Sequence, residues 1–135
     1  MLYAYSDETQ TVSSGGDINI DTNKVLTGVV VTHDNGSAVI TLNRSGFYEI
    51  TAHAVVSTTE TDGVVVMQAY ADDKAYPGTV SKVSSENNCD IGNLSTTFLI
   101  GFCRCGCHPT KEIKFKNLGI TADYHNFSVT VAKIA

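Results

Sequence analysis

The chain has 135 residues, a formal net charge of −5 and nine Lys and Arg residues spread along its length. This length suits one domain over residues 1–135, and the scattered basic residues form no patch for neutralising phosphates, so nucleic acid is not an expected partner. The opening MLYAYSDETQ lacks a basic region followed by an apolar stretch, and no window approaches the roughly eighteen apolar residues of a membrane span. We expect neither a signal peptide nor membrane insertion.

Strand-forming residues dominate the sequence. Val, Thr, Ile, Tyr and Phe fill the apolar runs, while Gly and Asn fill the gaps between them. No window keeps an apolar period of about 3.6 residues for three turns. Turn-forming pairs such as Asn35-Gly36 and Pro77-Gly78 separate the runs. The sequence therefore predicts an all-β chain with strands over residues 9–12, 18–20, 28–32, 38–43, 47–57, 64–71, 94–105, 112–117 and 127–134.

Alternation along a strand indicates which of its faces meets water, because successive side chains point to opposite sides of a sheet. In 47–57, the apolar set that begins at Tyr48 alternates with a mixed, partly polar set. In 112–117, Ile113 and Phe115 alternate with charged side chains. Each strand is expected to be wet on one face, and both are assigned to an outer sheet. The strand spacing predicts a two-sheet antiparallel sandwich of the jelly-roll type.

The predicted strand at 94–105 differs because both of its faces are apolar. Phe98, Ile100 and Phe102 point one way, and the opposite face includes Leu99 and Cys103. In a two-layer antiparallel domain only one face of a sheet meets the core, so the second face needs cover from outside the sandwich. A partner copy is the economical explanation, although the run VVVMQAY is also apolar on both faces near its start. The predicted core and trimer-interface residues are Phe98, Leu99, Ile100, Phe102 and Cys103.

Three features carry a family resemblance: the run SGFYEI at 45–50, the long two-sided strand, and the closing NFSVTVAKIA. In this order they resemble the trimeric jelly-roll superfamily of the complement globular heads and tumour necrosis factor, whose strand entry reads Pro-x-x-Gly-x-Tyr. The resemblance covers essentially the whole chain. It implies a tumour-necrosis-factor-like two-sheet jelly roll that forms a homotrimer through its inner sheet.

The first third of the chain carries a narrower resemblance. LYAYSDETQTVSSGGDINIDTN followed by TGVVVTHDNGSAVITLNRSGFYEI is similar to small proteins encoded in phage and prophage structural-gene regions of gut bacteria. This implies a non-enzymatic virion protein, made in the host cytoplasm and displayed as a capsid decoration or fibre head, with capsid or fibre proteins as partners. The alternative is a carbohydrate- or receptor-binding head of a phage fibre or bacterial surface protein.

The motif CRCGCH at 103–108 raises the question of a metal or redox centre. In an extended strand the Cα atoms of Cys103 and Cys105 lie about 6.5 to 7 Å apart, near or beyond the upper end of disulfide geometry. Zinc knuckles use C-x-x-C, so Cys105, Cys107 and His108 are weak metal candidates and no cofactor is expected. The favoured interpretation is that Cys103 packs as a small apolar residue before a turn. A shared metal site and an interchain disulfide stay open.

Catalysis is not predicted, because no G-x-S-x-G occurs and the four histidines are spread over separate segments. Paired acids at Asp72 and Asp73 lie in a predicted turn, where carboxylates are usually solvated, with calcium as an alternative. Tyr70, Tyr76 and Tyr124 are expected to be exposed near loops, where local packing is the favoured interpretation and stacking on the sugar rings of a host-surface glycan is the alternative. The candidate ligand-loop residues are Asp72, Asp73, Tyr76, Asp123 and Tyr124.

Overall fold

The computed structural model describes residues 1–58, 60, 62–85, 91–103 and 109–135. Within these residues the chain forms thirteen β-strands and no helix. In chain order they are β1 (Leu2–Ser6), β2 (Gln10–Val12), β3 (Gly16–Asp17), β4 (Thr22–Leu26), β5 (Val31–Thr32), β6 (Ile40–Leu42), β7 (Gly46–Ser57), β8 (Gly63–Ala71), β9 (Lys74–Ala75), β10 (Ser81–Ser85), β11 (Ile91–Phe102), β12 (Lys111–Asn117) and β13 (Ala122–Lys133).

The strands form two sheets in which every described pairing is antiparallel. Sheet I has the order β11–β7–β13–β1–β4, and β2 is added beside β13. Sheet II has the order β10–β8–β12–β6–β5, with β3 beside β12 and β9 beside β8. Strands far apart in the chain are neighbours in both sheets, as in a jelly roll. The predicted all-β jelly-roll sandwich is confirmed.

The core lies between the sheets and follows the predicted alternation. A chain of aromatic rings crosses it, from Phe98 of sheet I to Phe115 of sheet II and back to Phe127 of sheet I. The ring centroids lie 6.4 Å and 5.7 Å apart in edge-on contacts. Burying each ring contributes about 1.5–3 kcal/mol. The inward set of β7 is buried as predicted and consists of Tyr48, Ile50, Ala52, Ala54 and Val56.

The entry to β7 explains the Gly-x-Tyr spacing in SGFYEI. Gly46 has a φ of 147°, and a Cβ there would overlap the carbonyl oxygen of Ala135, so no larger residue fits without a shift. Two residues on, the buried ring of Tyr48 points into the core, and its hydroxyl donates to the carbonyl of Arg44. The tyrosine therefore ties the preceding turn to the start of β7.

One predicted sheet assignment is wrong. The strand at 47–57 was expected to share an outer sheet with 112–117, but β7 pairs with β11 and β13 in sheet I, whereas β12 lies in sheet II. Alternation shows that one face of a strand is buried, and this holds for both strands. It does not reveal which sheet a strand joins. The outward position of the charged side chains of β12 is confirmed.

Five of the described strands are not predicted from the sequence pattern: β1, β3, β4, β9 and β10. In contrast, 18–20 is predicted as a strand but lies just after β3. Ile18 and Ile20 are nevertheless fully buried, and the amide of Ile18 donates to the carbonyl of Phe115 at 2.9 Å. This segment therefore supplies core side chains, as its apolar pattern indicates, while its regular pairing ends at Asp17.

Candidate assembly surface

The side of sheet I that points away from the core is the candidate functional surface, and we call it the open face. Strand register places its side chains in rows. One row runs through Thr97, Thr51, Thr130 and Tyr3, on β11, β7, β13 and β1 respectively. Because these residues alternate with buried neighbours, the row faces solvent in a single copy of the chain. The open face is thus a continuous five-strand surface.

A cluster of large apolar side chains lies at one end of this face, at Phe47, Leu99 and Ile134. Phe47 and Leu99 are each 57% exposed, and Ile134 is 54% exposed. Phe47 lies beside Ile134 because the Ile134 amide donates to the Phe47 carbonyl at 2.8 Å, and the Phe47 ring lies over Gly101, two residues from Leu99. We call these three residues the apolar patch. Contiguous exposed apolar side chains of this kind mark contact sites.

The Thr51 and His53 rows at the centre of the open face are polar and carry no carboxylate or ammonium group, whereas Glu49 lies in the adjoining row opposite Leu99. The hydroxyls of Thr51 and Thr97 lie 3.2 Å apart, and Thr130 follows in the same row. His53 and Ser95 occupy the next row. Burying neutral hydroxyls requires far less desolvation energy than burying charges, and hydroxyls can find partners on a second surface. The open face is therefore suited to being covered by protein.

The outward side of sheet II has the opposite character. Lys114 pairs with Asp73 at 2.7 Å, and Lys116 pairs with Asp17 at 2.9 Å. The hydrogen bond from Lys114, together with its charge, lowers the pKa of Asp73, and the same bond raises the pKa of Lys114. The Lys116 ammonium also lies 5.4 Å from the centroid of the Tyr70 ring. Every ion pair among the described residues belongs to this side, which is therefore built for solvent.

The predicted core and interface residues divide between two faces of β11. Phe98, Ile100 and Phe102 point into the core, whereas Leu99 points outward on the open face. Cys103 is exposed just after β11. Among the described residues, only one flank of β11 is covered by the sandwich itself. A role for the other flank in a trimer interface remains a prediction.

The metal candidates Cys105, Cys107 and His108 lie outside the described residues. Within the described ranges, no group of three or more His, Cys, Asp or Glu side chains is arranged to hold a metal ion. Likewise, none of the described residues belongs to a helix with the length and apolarity needed to cross a membrane.

The predicted ligand-loop acids of sheet II are engaged within the fold. Asp72 and Asp73 form the β8–β9 turn with φ values of 50° and 64°. An Asp72 carboxylate oxygen accepts from the amide of Glu112 at 2.9 Å, and Asp73 binds Lys114. Tyr76 lies beside Phe98 with ring centroids 5.4 Å apart, and its hydroxyl donates to the Leu99 carbonyl at 2.9 Å. These residues close one end of the sandwich.

The second predicted loop does not match the structure. Tyr124 was expected to be exposed, which is wrong: it lies within β13, is fully buried, and donates to Oδ1 of Asn117. Asp123 accepts a hydrogen bond from Thr11 at 2.6 Å. Asp72 lies at the Lys111 end of β12 and Tyr124 at the opposite end, so the candidate ligand residues do not converge on one site.

A serine–histidine pair lies on the open face, away from the apolar patch. Nε2 of His125 lies 2.8 Å from the hydroxyl of Ser57, and Nδ1 lies 2.7 Å from the hydroxyl of Thr9. In a Ser-His-Asp triad a buried carboxylate orients the imidazole through Nδ1. Here a threonine hydroxyl on an exposed segment takes that position. The contacts fix the orientation of the His125 ring without assembling a triad.

Sequence reasoning missed two members of the apolar patch, Phe47 and Ile134. The patch could have been found by combining the outward-facing side chains of two strands. These are the side chains of β7 that begin with Phe47 and Glu49, and the outward-facing side chains of 94–105. Without knowing that β7 and β11 are neighbours, the two sets cannot be combined. The pairing of Gly101 with Phe47 makes them one surface.

Comparison with known proteins shows the fold. No protein-family model matches the sequence, and no curated protein sequence matches it significantly. Solved structures do match: Eiger TNF from S. frugiperda has a TM-score of 0.72 at 11% identity, covering 99% of this chain and 92% of that one. Murine APRIL at pH 8.0 has a TM-score of 0.68 at 9% identity, covering 98% and 97%. The PRD1 vertex protein P5 has a TM-score of 0.52 at 15% identity, covering 99% and 96%. The chain therefore has a tumour-necrosis-factor-like jelly-roll fold.

Proposed function

We propose that this chain is a non-enzymatic structural protein that assembles as a homotrimer through the open face of sheet I. The observation that carries the proposal is the contrast between the two outward surfaces. Sheet II presents ion pairs to solvent, whereas the open face presents the apolar patch, with Glu49 beside it, and a row of neutral hydroxyls. Leaving the patch in water forfeits about 25 cal/mol for each Å² of apolar surface that contact would bury.

The dimensions of the open face support a stable contact. Strands β7, β11 and β13 each have 12 residues, or about 40 Å at 3.3 Å per residue, and neighbouring strands lie about 4.8 Å apart. These three strands alone give a flat area of roughly 580 Å² before side-chain relief is counted. A standard interface buries about 800 Å² per partner. When three copies surround a three-fold axis, each copy covers the open face of a neighbour. The ring is then closed, and no open face is left exposed at an end.

We further propose that the trimer is displayed on a virion, as a capsid decoration or fibre head. The fold likeness to the PRD1 vertex protein P5 supports this setting, together with the resemblance of the opening sequence to phage and prophage structural proteins. The likeness to Eiger TNF and APRIL supports the assembly mode. Capsid or fibre proteins would be the partners of the assembled trimer.

Light scattering coupled to size exclusion tests the assembly. Three copies of the 14.4 kDa chain give about 43 kDa (3 × 14.4), and we expect this mass over a broad range of concentrations. A stable 14.4 kDa particle at high concentration would contradict the trimer. For the virion role, we expect an antibody against the chain to detect it in gradient-purified particles from the strain that encodes it. Detection only in the particle-free fraction would contradict that role.

A further inference from the structure

We infer that a pocket beside β1 binds a pyranose ring of a glycan. The pocket has a volume of about 310 Å³, at the lower end of the usual range for small-molecule sites. We call it the tyrosine pocket, and it is lined by Tyr3, Tyr5, Asp7, Lys24, Asn126 and Ser128.

Two tyrosine rings form one wall of this pocket. Tyr3 and Tyr5 are two residues apart on β1, so both point outward from sheet I. Their ring centroids lie 6.2 Å apart and their planes are inclined by 36°, which makes a shallow cradle. A pyranose presents a face of C–H groups, and these carry slight positive charge that matches the negative face of an aromatic ring. The cradle supplies the apolar half of a sugar site.

Polar groups of both kinds surround the rings. Asp7 supplies acceptors, Lys24 supplies donors, and Asn126 and Ser128 supply both. Within the part of the chain that the structure describes, none of these four side chains forms a hydrogen bond or ion pair with another residue. Sugar hydroxyls both donate and accept, so they require such a mixed set. The pocket thus combines an apolar surface with a few polar groups that can fix orientation.

The backbone at Asn126 gives an independent indication. Its φ is 49°, and the register of β13 against β7 shifts between His125 and Ser128. This is a β-bulge, in which one extra residue redirects the local side chains. Asparagine tolerates this left-handed backbone better than most residues, and β-bulges are over-represented beside functional sites. Here the bulge brings an amide side chain to the rim of the tyrosine pocket.

The other four tyrosines are already engaged in the fold. Tyr48 and Tyr124 are buried, Tyr76 lies beside Phe98 with its hydroxyl bonded to a backbone carbonyl, and Tyr70 lies beneath the Lys116 ammonium. Tyr3, in contrast, is 39% exposed. The pocket also lies on the β1–β4 side of sheet I, whereas Phe47 and Leu99 lie on the β7–β11 side. Tyr3 and Tyr5 nevertheless belong to the open face, so the glycan site requires a trimer contact that ends at β13 and leaves β1 exposed.

A printed glycan array, followed by saturation-transfer NMR with methyl mannoside, methyl galactoside and N-acetylglucosamine, tests the proposal on the purified full chain. We expect at least one array feature or probe to bind, with transfer strongest on ring C–H protons. Tyr5→Ala should weaken binding about tenfold, the expected loss for one aromatic contact. Asn126→Gly, which keeps the left-handed backbone but removes the amide, should weaken it as well. Tyr70→Ala is the matched control and should bind like the parent.

Three outcomes would overturn the inference. The first is no binding by the parent chain to any array feature or probe. The second is an equal loss of binding in Tyr5→Ala and Tyr70→Ala, with both still folded by circular dichroism. The third is a lower assembly mass in Tyr5→Ala than in the parent, which would assign the rings to a subunit contact. A trimeric parent that binds no glycan would leave the proposed function standing.

Discussion

The hydroxyl of Tyr124 donates to Oδ1 of Asn117 at 3.0 Å, and both side chains are fully buried. The bond joins β13 of sheet I to β12 of sheet II. The amide nitrogen of Asn117 in turn donates to the carbonyls of Val12 and Ile120, each at 2.9 Å. A buried polar network stabilises a fold when all of its members are paired, and losing one member leaves the others without partners.

Replacing Asn117 should therefore be strongly destabilising. In Asn117→Ala the Tyr124 hydroxyl and two backbone carbonyls lose their partner inside the core, and we expect a loss of about 3 kcal/mol in the free energy of unfolding. Urea denaturation followed by circular dichroism measures it. The matched control is Asn43→Ala, because the Asn43 amide bonds to the Val29 carbonyl and the Thr32 hydroxyl near solvent. A loss no greater than that of the control would show that the network is not important for stability.

Alkaline pH should destabilise the fold through two buried tyrosines. Burial raises the pKa of Tyr124 and of Tyr48 above the ordinary value of 10.0. The folded state therefore favours the neutral form, so this contribution is fully present below about pH 10 and is lost as pH rises further. Denaturation midpoints measured from about pH 8 to 11 should fall at the alkaline end. Tyr124→Phe should show a shallower fall, and an unchanged slope in that variant would contradict the assignment.

A charge on the open face should dissociate the proposed trimer. In Leu99→Asp, a carboxylate replaces a side chain that is 57% exposed in one copy, and covering it without a partner carries a desolvation penalty of several kcal/mol. We expect the association to weaken by at least about a hundredfold, measured by analytical ultracentrifugation. Val64→Asp is the control, since Val64 is an exposed strand residue of sheet II. Equal effects of the two substitutions would argue against the open face.

Gly101 should matter for assembly more than for folding. A Cβ at this position would lie 2.9 Å from the Phe47 ring, so Gly101→Ala should push the ring away from β11. The fold should tolerate this within about 1 kcal/mol, because alanine restricts the unfolded chain more than glycine does. Sedimentation should show a higher proportion of single chains than in the parent. A parent-like sedimentation profile would mean that the position of the Phe47 ring is unimportant.

The buried position of Tyr124 illustrates what a strand pattern cannot reveal. Residues three apart in a regular strand point to opposite faces, so Tyr124 and Phe127 are expected on different sides. The bulge at Asn126 adds one residue between them, and both side chains are fully buried. Asparagine tolerates left-handed backbone, which is the only local hint of the bulge. Long alternating strands such as β7 and β12 were predictable because the core imposes a strict two-residue period.

Edge strands were harder to predict for a related reason. β4 and β10 lie at sheet edges and consist largely of polar or exposed residues, so no buried set marks their period. Only part of the open face could be predicted. Leu99 was found because it is an apolar residue on the outward side of a strand whose other side is buried. Phe47 and the tyrosine pocket depend on which strands become neighbours, and that information is long-range. Local sequence does not contain it.

Strand β13 lies in the middle of sheet I, between β7 and β1, although it comes after both of them, and after every other described strand, in chain order. During translation neither neighbour can complete its hydrogen bonding until residues 122–133 have left the ribosome exit tunnel. A nascent chain paused before that point would present the unpaired edges of two strands, which favours misassembly and engagement by chaperones. Sheet I is therefore expected to form only after the ribosome has released the end of β13, in a late and slow step set by distant contacts.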